Sequence, residues 1–208
     1  MNAPILYLSG ISIFLSLITF FYNKGYQRAN RFFAGTLFFA ALQFVVYYVC
    51  LYSDSIQWVA FFTSGFPSLS FLIGPLAYFY VRSILKDSTK ISGWDYLHFL
   101  PFIVVFTGIV PYIFASWDYK LKLAELLMSD NWKESHKLHA NRLFTGDQKE
   151  LLGLIQTCFY MAAWWVPFFK QKEFKPAHSR YQWNLIKKWL FLFCVIMGCI
   201  DKNSFNLF

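Results

Sequence analysis

The sequence has little charge. Asp, Glu, Lys and Arg together make up 14% of the 208 residues, whereas they make up about a quarter of an ordinary soluble domain. The short signatures of common enzymes are also missing, because the chain contains no GxSxG, GxGxxG, P-loop or HExxH motif. We therefore predict that the protein is not an enzyme and that it holds no cofactor and no metal.

The amino-terminal segment lacks basic residues, since the first one is Lys24. A cleaved signal peptide begins with a positively charged region, so this segment is predicted to stay in the protein as a helix. The four cysteines lie in or at the ends of apolar blocks, with neither metal-ligand spacing nor the loop positions of a disulfide framework. We expect them to fill space as small apolar residues.

Apolar residues take the place of the missing charge. The chain is 57% hydrophobic, with 26 Phe, 13 Tyr and 8 Trp, and these residues are gathered into blocks. The blocks are Pro4–Tyr22, Phe32–Tyr52, Val59–Val81, Leu97–Ala115, Leu151–Phe169 and the shorter Trp189–Ile200. The first five reach the roughly 17 to 25 residues that cross a hydrocarbon core as a helix. A single apolar strand would leave its backbone groups unpaired in lipid, so helices are required.

The predicted fold class is all-α. We expect a polytopic transmembrane helical bundle of about six helices, five of them full spans and the sixth short, in a single domain over residues 1–208. The predicted spans cover residues 4–22, 32–52, 59–81, 97–115, 151–169 and 185–200, and residues 116–150 form an outer loop.

The basic residues are distributed unevenly between the two sides. Twelve of the 19 lie in the first, third and fifth connections between blocks, and none lies in the amino-terminal segment or in residues 53–57. Basic loops stay in the cytoplasm, so the amino terminus is predicted to lie outside. These charges flank spans and form no compact basic domain. We therefore predict the lipid bilayer as a partner and no nucleic acid binding through this chain.

A few residues in or beside the spans are candidate signal-sensing or hinge positions, and they are Gln43, Gly74, Pro75, Arg82, His98, Pro101 and Gln156. A buried glutamine needs a hydrogen-bond partner, either on a neighbouring helix or in a ligand pocket. A proline bends its helix, which either shapes the bundle or provides a hinge. We expect a bend at Gly74-Pro75 and an ion pair between Arg82 and Asp95, and we interpret His98 as an interfacial anchor, with a catalytic base or a pH switch as the alternatives.

The outer loop contains two further patterns. The stretch KLKLAELLM, residues 120–128, places Leu123, Leu126 and Leu127 on one face of a short helix at the membrane surface. His136 and His139 are three residues apart, but zinc needs three or four ligands and no pattern supplies the others. We interpret the histidine pair as part of a solvated face.

Three motifs occur in order along the chain: RANRFFAGTLF at the start of the second span, FLIGPLAYFYVRSIL at the end of the third, and WDYLHFLPF at the start of the fourth. Together they resemble the membrane-spanning amino-terminal region of AraC-type transcriptional regulators of Bacteroidetes-like bacteria. The resemblance implies about seven helices followed by a cytoplasmic helix-turn-helix domain. On this comparison the seventh span and the DNA-binding domain are expected to be absent from the chain, as in a truncated product.

The leading hypothesis is a sensory or regulatory region in the bacterial inner membrane that responds to an unidentified small-molecule or envelope signal, with formation of a homodimer left open. The alternative is a small transporter whose proline-containing spans line a path. No charged residue lies in the middle of a predicted span, which argues against ion-coupled transport.

Overall fold

The computed structural model describes residues 3–22, 27–63, 65–86, 90–129 and 140–169, together with residues 188 and 191. All the secondary structure in these ranges is helical, as predicted. The described ranges contain four helical stretches long and apolar enough to cross a membrane. They are Pro4–Tyr22, Ala29–Tyr52, Ile56–Ile84 and Gly93–Ile113. The chain is therefore a membrane protein.

Helices α1 (Ala3–Tyr22) and α2 (Gln27–Tyr52) are regular and pack against each other along their length. The hydroxyl of Ser16 donates to the carbonyl of Ala34 at 2.7 Å, which joins the two helices. The hydroxyls of Ser9 and Thr19 donate to carbonyls of α1 itself. Small residues allow two helices to approach closely, so the serines of α1 serve packing. The opposite face of α1, which includes Phe14, is exposed and suits contact with lipid.

The third predicted span is broken into three pieces. Helix α3 (Ile56–Thr63) ends before Gly65, whose φ of 129° is a conformation that other residues rarely adopt. A 3-10 segment, Phe66–Leu72, follows and leads into α4 (Ile73–Lys86). The bend was expected at Gly74-Pro75, but the break lies upstream. Pro75 occupies the first turn of α4, where a missing N–H is tolerated.

The fourth predicted span also begins with a 3-10 segment, Gly93–Phe99, and continues as α5 (Leu100–Ile113). Pro101 lies in the first turn of α5 rather than in its interior, so it does not bend that helix. Pro111 is the proline inside α5.

Helix α6 (Trp117–Met128) forms in the predicted outer loop and packs against α3. Its buried residues are Leu123, which packs on Ile109 and Tyr112 of α5, and Ala124, which packs on α3. The predicted apolar face is therefore only partly correct, because Leu127 is 44% exposed. Lys120 donates its ammonium group to the carbonyl of Ile113 at 2.7 Å and so covers the carboxyl end of α5.

Helix α7 (Gly146–Phe169) contains the fifth predicted span and begins five residues before it. A capping box starts this helix. The amide N–H of Gln148 donates to the Thr145 hydroxyl at 3.3 Å, and the N–H of Thr145 donates to the Gln148 side chain at 3.1 Å. Helix α7 packs against α4. The sixth predicted span, apart from residues 188 and 191, and the pair His136 and His139 lie outside the described residues.

The helices define two ends of the bundle. The basic end holds Arg31, Arg82 and Lys90, and there the amino-terminal part of α2 meets α4 through ring contacts of Phe32 with Phe79 and of Phe33 with Tyr80. We call the other end, which holds residues 53–55 and α6, the α6 end. One buried cluster near the basic end joins α2, α4 and α7 through Ala29, Ala77 and Tyr160.

Candidate functional site

The polar contacts between helices concentrate around the broken third span. Gln43 of α2 donates its side-chain amide to the carbonyl of Phe66 at 2.7 Å. Gln156 of α7 donates to the carbonyl of Phe71 at 2.8 Å. The first 3-10 segment is therefore held at its two ends by glutamines from two different helices.

The contact of Gln156 follows from Pro75. In a continuous helix the N–H of residue 75 would donate to the carbonyl of Phe71, but proline has no N–H. The Phe71 carbonyl therefore receives no α-helical bond from residue 75, and it lies in an apolar surrounding where polar groups favour an additional donor. Gln156 supplies the missing donor. Pro75 and Gln156, two separate candidates in the sequence, thus lie in one arrangement.

At the basic end, Arg82 of α4 forms a bidentate ion pair with Asp95 of the second 3-10 segment. The nitrogen–oxygen distances are 2.5 and 3.0 Å. Arg82 also donates to the carbonyl of Lys90 at 3.1 Å, and Asp95 accepts the N–H of Ser92 at 2.7 Å. This confirms the ion pair expected from the sequence. Both side chains are mostly buried, at 15% and 12% exposure, and a bidentate pair offsets the cost of burying the two charges.

Aromatic rings surround the ion pair. The guanidinium carbon of Arg82 lies 4.9 Å from the ring centre of Phe79 and 5.7 Å from that of Tyr78, distances typical of cation–π contacts. The charges of Arg82 and Asp95 are thus both paired within the protein. The arrangement fits a structural platform better than an ion-binding site.

His98 belongs to the same platform, which we define as Arg82, Asp95 and His98, and it contacts α7. Its Nδ1 atom is 2.9 Å from the Tyr160 hydroxyl. Its ring centre is 4.9 Å from that of Tyr78 and 5.4 Å from that of Phe79. The position agrees with a hydrogen-bonded anchor, because the ring is packed by aromatic neighbours.

Gly74 is a close-contact residue. A Cβ atom at this position would lie 2.5 Å from Cδ2 of Tyr160, so only glycine allows the tyrosine ring to rest on α4. Tyr160 was not among the residues predicted from the sequence. Its signal was its place four residues after Gln156, which puts both side chains on one face of α7.

A second contact that was not predicted from the sequence lies where the loop before α7 meets α5. Asn141 is buried, donates its side-chain amide to the Val105 carbonyl at 2.9 Å, and accepts the N–H groups of Leu143 and Phe144 at 2.9 and 3.1 Å. Its amide group lies against the α carbon of Gly108, where a Cβ atom would collide with it. The N–H of Arg142 donates to the Gly108 carbonyl at 3.0 Å.

The predicted candidates thus fall into three groups. Gln43, Gly74, Pro75 and Gln156 surround the broken span, Arg82 and His98 form the platform at the basic end, and Pro101 only starts α5. Across the described ranges no group of three His, Cys, Asp or Glu side chains could hold a metal ion.

No family model, curated protein or solved structure matches this chain. The resemblance to the membrane region of AraC-type regulators therefore rests on the order of the three sequence motifs.

Proposed function

We propose that this chain is a membrane-embedded sensory or regulatory region of the kind found in AraC-type transcriptional regulators, located in the bacterial inner membrane. The observation that carries the proposal is the broken third span, whose 3-10 segment is held by Gln43 and Gln156 from two neighbouring helices. A switch needs a segment that can change its arrangement, and a 3-10 segment whose backbone is held by side chains of two other helices is the element of this chain best suited to that role.

The distribution of charge supports sensing over ion-coupled transport. Within the four described candidate spans, charged residues occur only near the ends, and they are Arg31, Arg82 and Asp95. Ionisable groups inside a membrane usually mark ion and proton pathways. Arg82 and Asp95 are paired with each other, and His98 is packed among rings, so the proposal includes no catalytic role.

Hydrogen exchange tests the sensory proposal. The full chain in lipid nanodiscs would be exposed to the small-molecule fraction of a bacterial envelope extract, and exchange would be followed by mass spectrometry. We expect an active fraction to change the hydrogen-exchange rates of residues 66–86, because the 3-10 segment is the element proposed to rearrange. The exchange rates of α1 should stay unchanged. Uptake of the active compound into proteoliposomes that contain the chain would instead show a transporter. A gel shift of DNA by the chain in detergent would contradict the separate prediction that this chain does not itself bind nucleic acid.

The proposed topology has the amino terminus outside, the basic end in the cytoplasm, and α7 as a fifth crossing. The support is the excess of basic residues in alternate connections. Single cysteines at Ser53 and Lys90, in a chain whose four native cysteines are replaced by alanine, test it in spheroplasts. We expect an impermeant maleimide to label Ser53→Cys from outside and Lys90→Cys only after lysis, and the reverse pattern would refute the orientation.

A further inference from the structure

We propose that α7 is a transmission helix, which couples the loop before it to the platform of Arg82, Asp95 and His98 at the basic end. This inference rests on the proposed sensory function. The supporting geometry consists of specific contacts at three positions along the stretch of residues 141–160. They involve Asn141, Gln156 and Tyr160.

The first contact fixes where α7 begins. Asn141 is held against α5 by its bond to the Val105 carbonyl and by the absence of a side chain at Gly108. The same side chain accepts the N–H groups of Leu143 and Phe144 and so shapes the turn. The capping box of Thr145 follows at once. A displacement of this loop from α5 would therefore move the start of α7.

The second contact joins α7 to the broken span. Gln156 donates to the Phe71 carbonyl, which receives no N–H from Pro75. A translation of α7 along its axis would remove this donor. The 3-10 segment would then have to find another partner for the Phe71 carbonyl, since an unpaired carbonyl is costly in an apolar surrounding. Movement of α7 is thus linked to rearrangement of the third span.

The third contact reaches the platform. The Tyr160 ring lies on Gly74 of α4, and its hydroxyl contacts His98. His98 belongs to the same 3-10 segment as Asp95, the partner of Arg82. A change in the position of Tyr160 therefore acts on both members of the ion pair, through α4 and through the 3-10 segment.

A single helix can carry movement between these contacts. Thr145 and Tyr160 are roughly 15 residues apart, which is about 22 Å at 1.5 Å per residue. The helix between them is continuous, and its proline, Pro167, lies beyond Tyr160. The segment therefore has no proline that would absorb a displacement by bending.

The test weakens the contact of Asn141 with α5 and measures the effect at the platform, using the full chain in nanodiscs. Asn141→Ser shortens the side chain so that it no longer reaches α5 but can still support the turn. Gly108→Ala disrupts the same contact from the α5 side, because the added methyl group collides with the Asn141 side chain. Arg142→Ala is the matched control, since Arg142 contacts Gly108 only through its backbone N–H, which the substitution keeps. Hydrogen exchange is measured in residues 93–99, the 3-10 segment that contains Asp95 and His98.

We expect Asn141→Ser and Gly108→Ala each to raise exchange in residues 93–99 about fivefold, as for the loss of one hydrogen bond, and the control to leave it unchanged. In a Tyr160→Phe background, Asn141→Ser should cause no further rise in the exchange of residues 93–99. The reason is that the contact between the Tyr160 hydroxyl and His98 is already lost. Loss of this rise in the double variant distinguishes coupling from simple addition.

Two results would overturn the inference. One is a rise confined to residues 100–113 and 140–150 with none in residues 93–99. The other is an equal rise across α1 and α2, which would show general loosening of the protein. Failure of the sensory proposal gives a different result, namely solute uptake by the chain with the coupling between Asn141 and the platform intact.

Discussion

The pair formed by α1 and α2 and the group formed by the broken third span, α5 and α7 are built differently. The first pair has uninterrupted helices without internal proline, and hydroxyl groups of α1 bond mostly within their own helix. The second group contains two 3-10 segments, a bidentate ion pair and the bond of Gln156, and it also accepts a bond from Gln43 of α2. Most of the polar contacts between elements thus occur where helices are interrupted, whereas α1 and α2 are joined by the single described bond of Ser16 to the Ala34 carbonyl.

The difference has a physical cause. A regular helix satisfies its own backbone groups, so its side chains need only fit those of a neighbour. A proline or a 3-10 segment frees backbone groups, and in an apolar surrounding these must be paired by other elements. The interrupted group is therefore linked by specific bonds, which is also what a conformational switch requires. Substitutions in the two regions should differ in size and in sign.

The largest effect is expected at the ion pair of the interrupted group. Asp95→Ala should lower the free energy of unfolding by about 2 to 3 kcal/mol, because it leaves the mostly buried Arg82 guanidinium without its carboxylate. Unfolding in bicelles, followed by steric trapping, measures this. The double variant with Arg82→Ala should lose less than the sum of the two single variants. Asp118→Asn, at an exposed position on α6, serves as the control. A loss no larger than that of the control would mean that the pair is not stabilising.

Glycine substitutions should differ in sign between the two regions. Gly74→Ala should lower the free energy of unfolding by about 1 to 3 kcal/mol, since the new methyl group collides with the Tyr160 ring. Gly10→Ala in α1 meets no atom within 4 Å and should raise the stability by up to about 1 kcal/mol, because alanine favours the helix. The same bicelle assay compares them. Equal effects at both sites would contradict the close contact at Gly74.

The smallest effect is expected for hydrogen bonds between helices. Gln156→Leu should cost about 1 kcal/mol, because a membrane-buried hydrogen bond contributes modestly and the Phe71 carbonyl loses its donor. Thr19→Val in α1 removes a bond within one helix and should change stability by less than about 0.5 kcal/mol. Hydrogen exchange in residues 66–76 should rise only in the first variant. A rise of similar size in the second would remove the distinction between the regions.

Several features could be read from local sequence. Long uncharged blocks required helices that cross the membrane, and four such stretches are present. Arg82 and Asp95 could be matched because both stand next to apolar blocks at the same predicted side. The importance of Gln43 and Gln156 followed from the cost of burying an amide, although their partners did not.

Other features depended on position in space. The break at Gly65 was missed because the apolar run continues through it, and hydrophobicity does not report φ. Tyr160 and Asn141 were missed because neither is unusual in its own segment. They matter through Gly74 and Gly108, whose missing side chains make room for them.

The sequence by itself determined that this chain is a helical membrane protein, since composition and block length depend only on the transfer of residues into lipid. The tertiary structure alone decided which backbone carbonyl accepts a hydrogen bond from which glutamine, and which glycine leaves room for which neighbouring side chain. Those choices depend on distances of a few ångströms between segments far apart in the chain, and no local pattern carries that information.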